Sequence, residues 1–222
     1  MTTKRALVVG ASGGIGAALS RVLMAQGALV TEVSRSTVDF DITDPLKVKD
    51  HMERLEGAFD TVLIASGILA PVNMRPEKSL AEIDADGMAR VLAVNAIGPA
   101  LVLRHVPRLL PRDARSVVGV LTARVGSIGD NQLGGWYSYR AAKAAANQIV
   151  HTAAIEIART RREAIVVALH PGTVATRFTD AYPAQPKVPA DKAATNLVSV
   201  INGLTTAHNG SFLDWAGKSV PW

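Results

Sequence analysis

Tyr139 and Lys143 stand four residues apart in the run Tyr139-Arg140-Ala141-Ala142-Lys143, at the start of an alanine-rich segment. If that segment is helical, the two side chains share one face, because positions i and i+4 lie one above the other. A phenol, with an ordinary pKa of about 10, is a poor proton-transfer group at neutral pH. A neighbouring ammonium favours the phenolate and is expected to bring that pKa down. Such a pair could move a proton onto or off a substrate oxygen while hydride moves on or off the adjacent carbon. Taken alone, the same spacing also fits an incidental surface pair.

A second run with chemical meaning is Val8-Val9-Gly10-Ala11-Ser12-Gly13-Gly14-Ile15-Gly16. It follows an apolar strand-like run and opens a helix-like one. Gly10 permits a tight turn, Gly14 lets backbone approach a pyrophosphate, and Gly16 lets the helix pack close to the sheet. The N–H groups from Ser12, Gly13, Gly14 and Ile15, with the positive helix end, would attract the anion. The spacing is Gly-x-x-x-Gly-x-Gly, not Gly-x-Gly-x-x-Gly, and a ligand-free strand–helix turn would use similar glycines.

These groups need elements to hold them. Short runs rich in Val, Leu and Ile alternate with longer helix-period segments along the chain. The expected strands are Ala6–Val9, Ala28–Val33, Thr61–Ala65, Ser116–Leu121, Ile165–Leu169 and one near Phe212, with a further short one at Val38–Phe40. The expected helices are Ile15–Gln26, Pro45–Leu55, Ala81–Leu110 with a kink at Gly98-Pro99, Tyr137–Arg159 and Ala190–Gly203. Continuous apolar strands alternating with helices imply an α/β fold, a doubly wound Rossmann-type parallel sheet of about seven strands in a single domain, residues 1–222. The stretch from Ser34 to Phe40 is too short for a crossover helix with its loops, so the helix between the second and third strands is expected to be missing or much reduced. Thr179–Pro189 holds three prolines and no periodicity, and reads as a substrate-binding loop or lid.

Composition narrows the function classes. The 222 residues are 48% hydrophobic and 19% charged, as in an ordinary globular chain of one-domain size. With no cysteine there is no disulfide, thiolate metal site or Cys nucleophile, and a cytoplasmic home is the economical expectation. No uninterrupted apolar stretch of about 18 residues occurs, so no membrane partner is expected. The net charge is +5, but the basic residues are scattered. Their tightest cluster, Arg159, Arg161 and Arg162, falls at a helix end where cations complement the dipole, so no nucleic-acid partner is expected. His51, His105, His151, His170 and His208 show no metal-ligand spacing, and no Gly-x-Ser-x-Gly elbow appears.

The glycine loop, the Tyr-x-x-x-Lys pair and their separation together resemble the short-chain dehydrogenase/reductase family over essentially the whole chain. Within it the chain is most similar to the C-factor-like and sniffer-like carbonyl reductases, through Arg124-Val125-Gly126-Ser127-Ile128, Gly134–Arg140 and Pro221-Trp222. The resemblance implies a nicotinamide cofactor and a small-molecule carbonyl or alcohol substrate. It implies that Lys143 also binds the nicotinamide ribose, and that Asn95 supports a water and proton relay to the lysine. Asp41 and Ile42 would contact adenine. In His170-Pro171-Gly172-Thr173-Val174-Ala175-Thr176, the threonine and the backbone of Pro171, Gly172 and Val174 would meet the nicotinamide carboxamide. In many relatives the helix carrying the tyrosine helps form a dimer, so a homodimer or homotetramer is expected, although internal packing accounts for the same alanines.

The pattern is broken in two places. Ile64-Ala65-Ser66-Gly67 keeps the glycine of the family's Asn-Asn-Ala-Gly but not the asparagine; Ala65, Ser66 and Gly67 remain candidate cofactor contacts. Where the family has a catalytic serine, alignment on Val125-Gly126 puts Ala123. Ser127, twelve residues before Tyr139, and Thr122 are the candidate substitutes, and Ser127 is taken as the catalytic hydroxyl. At the end of the second strand Arg35, with Ser34 and Ser36 as further donors, suits a 2′-phosphate, whereas an acid there would accept the ribose hydroxyl of NAD. NADP is therefore expected over NAD. Two functions stay open: an NADP(H)-dependent oxidoreductase interconverting carbonyl and alcohol, and a cofactor-binding sensor or signalling protein in which Ala123 has cost the chain its catalysis.

Overall fold

The computed structural model describes residues 3–181 and 186–222. Along the chain run β1 (Arg5–Val9), α1 (Gly14–Ala25), β2 (Leu29–Val33), α2 (Arg35–Val38), α3 (Pro45–Arg54) and β3 (Thr61–Ile64). Then come α4 (Ala85–Leu92), a π turn (Ala93–Ile97), α5 (Gly98–Leu103), α6 (Val106–Leu109), β4 (Ser116–Leu121) and α7 (Tyr137–Ala158). The last elements are β5 (Ala164–His170), β6 (Val174–Ala175), β7 (Val188–Pro189), α8 (Ala190–Gly203) and β8 (Phe212–Asp214). Six strands form one sheet in the order β2-β1-β3-β4-β5-β8, and β6 pairs with β7 apart from it. Among the described residues these strands all pair in parallel, and an isolated antiparallel bridge joins Leu213 to Ser219.

Alternation along the strands sends side chains to opposite faces. Leu7, Val9, Val62, Ile64, Val118, Val120 and Val166 join Met52, Val102, Val106 and Val150 under α3, α5, α6 and α7. Val8, Leu63, Val117, Val167 and Leu169 join Leu19, Leu23, Leu197 and Ile201 under α1 and α8. Because both faces are covered, the strands read as unbroken apolar runs, which is the doubly wound arrangement. The run Ala85–Leu103 is long and apolar enough to pass a compositional test for a membrane span, but half of it is buried within the domain, where α4 and the π turn pack on α7.

Among the described residues the doubly wound sheet has six strands, with β6 and β7 as a separate short pair. The segment 38–40 is not a strand: Ser34 caps a single helical turn through the Thr37 N–H, and Asp39 ends that turn in the left-handed region at φ 50°. That turn is all that remains of the reduced crossover. The break expected at Gly98-Pro99 falls at the junction between the π turn and α5. Pro99 sits in the first turn of α5, where its missing N–H costs little, and the irregularity is the π turn just before it. In the expected loop Thr179–Pro189, Thr179 closes a short 3-10 turn and Val188–Pro189 pair with β6; Tyr182–Gln185 lie outside the described residues.

Candidate active site

At the C-terminal edge of β1, the phosphate loop is shaped by glycine. Gly10 has φ +88°, and a methyl group built on it would stand 2.8 Å from both the N and Oγ of Ser66. A methyl group on Gly16 would collide with the Gly10 carbonyl, so helix and loop touch through backbone alone. No side chain caps α1. Its positive end is thus open to an anion, and a pyrophosphate fits this cradle. Thr176 lies over Gly14, where an added methyl would meet its Cβ at 2.9 Å. The expected nicotinamide-side segment therefore adjoins the phosphate loop.

The adenosine side lies past β2. Ser34 is buried at 4% exposure, and its hydroxyl is engaged by Ser36 Oγ at 3.2 Å and by Thr37. As the cap of α2 it is less free to donate than its sequence context implies. Arg35 and Ser36 are exposed. Asp41 accepts hydrogen bonds from the N–H and hydroxyl of Thr43 at 2.9 and 2.7 Å. These bonds, with help from Arg90 and Arg35, hold its carboxyl below the usual range. Ile42 is buried against Gly98, where a methyl would stand 2.9 Å from its Cγ1.

Tyr139 and Lys143 do share a face of α7. Lys143 Nζ lies 5.9 Å from the centroid of the Tyr139 ring and donates to the Leu121 carbonyl at 2.8 Å, at the end of β4. Trp136 and Phe178 flank the phenol ring at centroid distances of 6.1 and 5.8 Å. Both side chains are buried, at 6% and 4% exposure. This overturns the expected electrostatics. Burial penalises the charged form of each group, so the Tyr139 phenol is pushed up rather than down, and the Lys143 ammonium is lowered to about 8. His170, at the end of β5, is lowered to about 4, by burial first and Arg124 second, against the pull of Asp214.

The side chain of Asn95 points to the same place but is already engaged. In the π turn, its Nδ2 donates to the Ile68 carbonyl at 2.7 Å and its Oδ1 accepts the Ile68 N–H at 2.9 Å. These two bonds pin the loop after β3 to the π turn. A methyl on Gly67 would lie 2.9 Å from Asn95 Oδ1 and 3.6 Å from Lys143 Nζ, which brings Gly67, Asn95 and Lys143 together.

The two candidate serine substitutes differ in how their hydroxyls are engaged. Ser127 is buried, and its hydroxyl accepts the Asp130 N–H at 3.1 Å and donates to the main-chain oxygen of Trp222 at 3.4 Å. Thr122 is buried, and its hydroxyl has no hydrogen-bond partner among the described residues. Ala123 is the residue that packs into the cluster of Tyr139, Val91 and Ala142. The sequence reading missed Glu77, whose buried carboxylate accepts the Ser138 N–H at 3.2 Å and also the Ser138 hydroxyl. Its only signals were a glutamate in an irregular stretch and a helix start with no capping residue.

The chain and its fold have known counterparts. A family model described as Enoyl-(Acyl carrier protein) reductase matches residues 25–200. The chain is 32% identical to the 1-hydroxy-2-glutathionyl-2-methyl-3-butene dehydrogenase of Rhodococcus sp. (strain AD45), over 97% of this chain and 98% of the relative. It is 37% identical to C-signal of Myxococcus xanthus, over 65% of this chain and 84% of the relative. A short-chain dehydrogenase/reductase of Burkholderia multivorans, solved with bound NADP, matches with a TM-score of 0.84 at 26% identity over the full length of both chains. The carbonyl reductase Sniffer of D. melanogaster, at 19% identity, shares the fold with a TM-score of 0.85 over the full length of both chains. The chain belongs to the short-chain dehydrogenase/reductase family of NAD(P)-dependent oxidoreductases.

Proposed function

We propose that the protein is an NADP(H)-dependent oxidoreductase that interconverts a small carbonyl compound and its alcohol. The observation that carries this reading is Tyr139 and Lys143 on one face of α7, beside Gly67 and Asn95 and across from an uncapped, glycine-built anion cradle. NADP(H), when bound, supplies or accepts the hydride. Gly10, Ser12, Gly13, Gly14, Ile15 and Gly16 hold its pyrophosphate. Arg35 and Ser36 take the 2′-phosphate, and Asp41, Ile42, Ala65 and Ser66 line the adenosine side. Pro171, Gly172, Val174 and Thr176 hold the carboxamide.

Tyr139 gives its proton to the carbonyl oxygen in reduction and takes it back in oxidation. Its raised pKa keeps it protonated, as a donor must be, and a phenol so buried surrenders the proton only with help from a nearby positive charge. Lys143 supplies that charge and reaches the ribose. The aromatic rings of Trp136 and Phe178 keep water from the phenol. Ala123 leaves the oxygen one donor short of the family pattern, and Ser127 or Thr122 serves as a substitute only if the loop 122–130 rearranges around bound substrate. A cytoplasmic, cofactor-loaded homodimer or homotetramer belongs to the same reading.

The test is NADPH oxidation over a panel of aldehydes and ketones. Turnover of at least one supports the reading. A second reading, a cofactor-binding signalling protein, is favoured by Ala123 beside Tyr139 and by the likeness to C-signal. Tight NADPH binding without turnover across the panel would select it.

A further inference from the structure

We infer that Glu77 is a positioning residue for Tyr139, acting across 61 residues through the first turn of α7. The inference rests on the reading of Tyr139 as the acid–base group. The helix begins without a cap of its own: Trp136 stands at its N-terminus with φ 54° and ψ 42°, and no side-chain cap. Gly134 and Gly135 before it also have positive φ, at 62° and 65°. Glycine adopts that conformation freely, but a tryptophan does so only where its surroundings hold it.

Glu77 does the holding. Its main-chain oxygen accepts the Trp136 N–H at 2.5 Å. Its carboxylate oxygens take the Ser138 N–H and the Ser138 hydroxyl, with Glu77 at 9% exposure and Ser138 at 3%. One residue thus fixes the positions on either side of Tyr137, satisfies a donor that a helix start leaves open, and brings an acceptor with negative character to the positive end. Tyr139 is the next residue, and its ring packs on Trp136. The loop bearing Glu77 is itself braced, since Glu82 accepts from the Lys78 N–H at 2.8 Å and pairs with Arg75 at 3.2 Å. None of the hydrogen bonds of Glu77 among the described residues reaches the phosphate loop, so cofactor binding should be nearly independent of it.

The experiment compares Glu77→Ala, Glu77→Gln and Ser138→Ala with the wild-type protein, using NADPH and 4-nitrobenzaldehyde as probes. Loss of the clamp displaces the phenol by about an ångström, a misplacement that lowers kcat by the order of tenfold to a hundredfold. Glu77→Ala should show that fall, with NADPH Kd, read by fluorescence, within about threefold. Amide hydrogen exchange across residues 136–140 should quicken about tenfold while α8 is unchanged. Glu77→Gln keeps one acceptor and should recover part of kcat. Ser138→Ala, which removes only the hydroxyl bond, should lose about threefold to tenfold and guards against a misfolded Glu77→Ala. A Glu77→Ala kcat within twofold of wild type overturns the inference. So does a parallel fall of kcat and NADPH affinity with faster exchange throughout the chain and no recovery in Glu77→Gln. If the wild-type protein turns over no carbonyl, the functional reading fails; exchange at 136–140 then decides the clamp, unchanged rates overturning it and tenfold faster rates supporting it.

Discussion

At the phosphate loop the chain works by omission: no side chain caps α1, and glycines at 10 and 16 leave room for backbone to meet backbone. At the start of α7 it works by importation, drawing Glu77 from a distant loop to hold a helix that has no cap of its own. The first region is defined by which atoms are absent, and a Cβ added at Gly10, Gly14 or Gly16 damages it. The second is defined by contacts between segments far apart, which bury Tyr139 and Lys143. Cofactor binding and proton transfer should therefore be separable by mutation.

The largest expected separation comes from Tyr139→Phe. It removes only the proton donor, so kcat should fall by about 10²–10⁴-fold. NADPH affinity should change little, and a variant that kept most of its turnover would sink the assignment of Tyr139. Arg35→Asp is the converse: it should weaken NADPH by about tenfold to a hundredfold through loss of a charge-assisted bond and added repulsion, and shift preference toward NADH. Fluorescence titration of both nucleotides checks it, and unchanged preference would mean that Arg35 is a solvated loop residue. Ala123→Ser, in the cluster with Tyr139, should raise kcat on a simple aldehyde by up to the order of tenfold. Ser127→Ala should cost little kcat, because its hydroxyl is spent on Asp130 and Trp222. The opposite pair of results would show that the loop rearranges and that Ser127 is the donor.

The smallest effect concerns stability. Lys143 is lowered from 10.5 to about 8 by burial, so the unfolded chain binds its proton more tightly than the folded one. Stability tied to this group therefore rises with pH between about 8 and 10.5, and below about 8 the buried charge costs its full amount. Lys143→Met should raise Tm at pH 7 by the order of a few degrees while abolishing turnover. The gain should shrink as pH climbs through that window. A Tm that fell at pH 7 would mean that the bond to Leu121 outweighs the cost of burial.

The sheet was legible because its strands are buried on both faces and read as plain apolar runs; Ser116–Leu121 was placed to the residue. Val38–Phe40 misled because two apolar residues around an aspartate resemble alternation, while the Ser34 and Thr37 side chains that close a helical turn carry no periodic signal. The glycine loop and the Tyr139–Lys143 pair were legible because each lies within one stretch of chain. Burial of that pair was not, since it comes from Val91, Trp136 and Phe178, which the fold brings together from three segments. Glu77 was invisible for the same reason.

The π turn at 93–97 works as a phase shifter. Each residue of a regular helix advances the side-chain direction by about 100°. The wider turn lets α4 aim Val91 at the tyrosine cluster while α5 aims Val102 and Leu103 at the core beneath the sheet. Deleting one residue there would yield a more regular helix and a worse protein. The rotation would carry Asn95 away from Ile68, or else turn the α5 face out of the core. Local regularity and global fit are in conflict at this point of the chain, and an extra residue in the helix reconciles them.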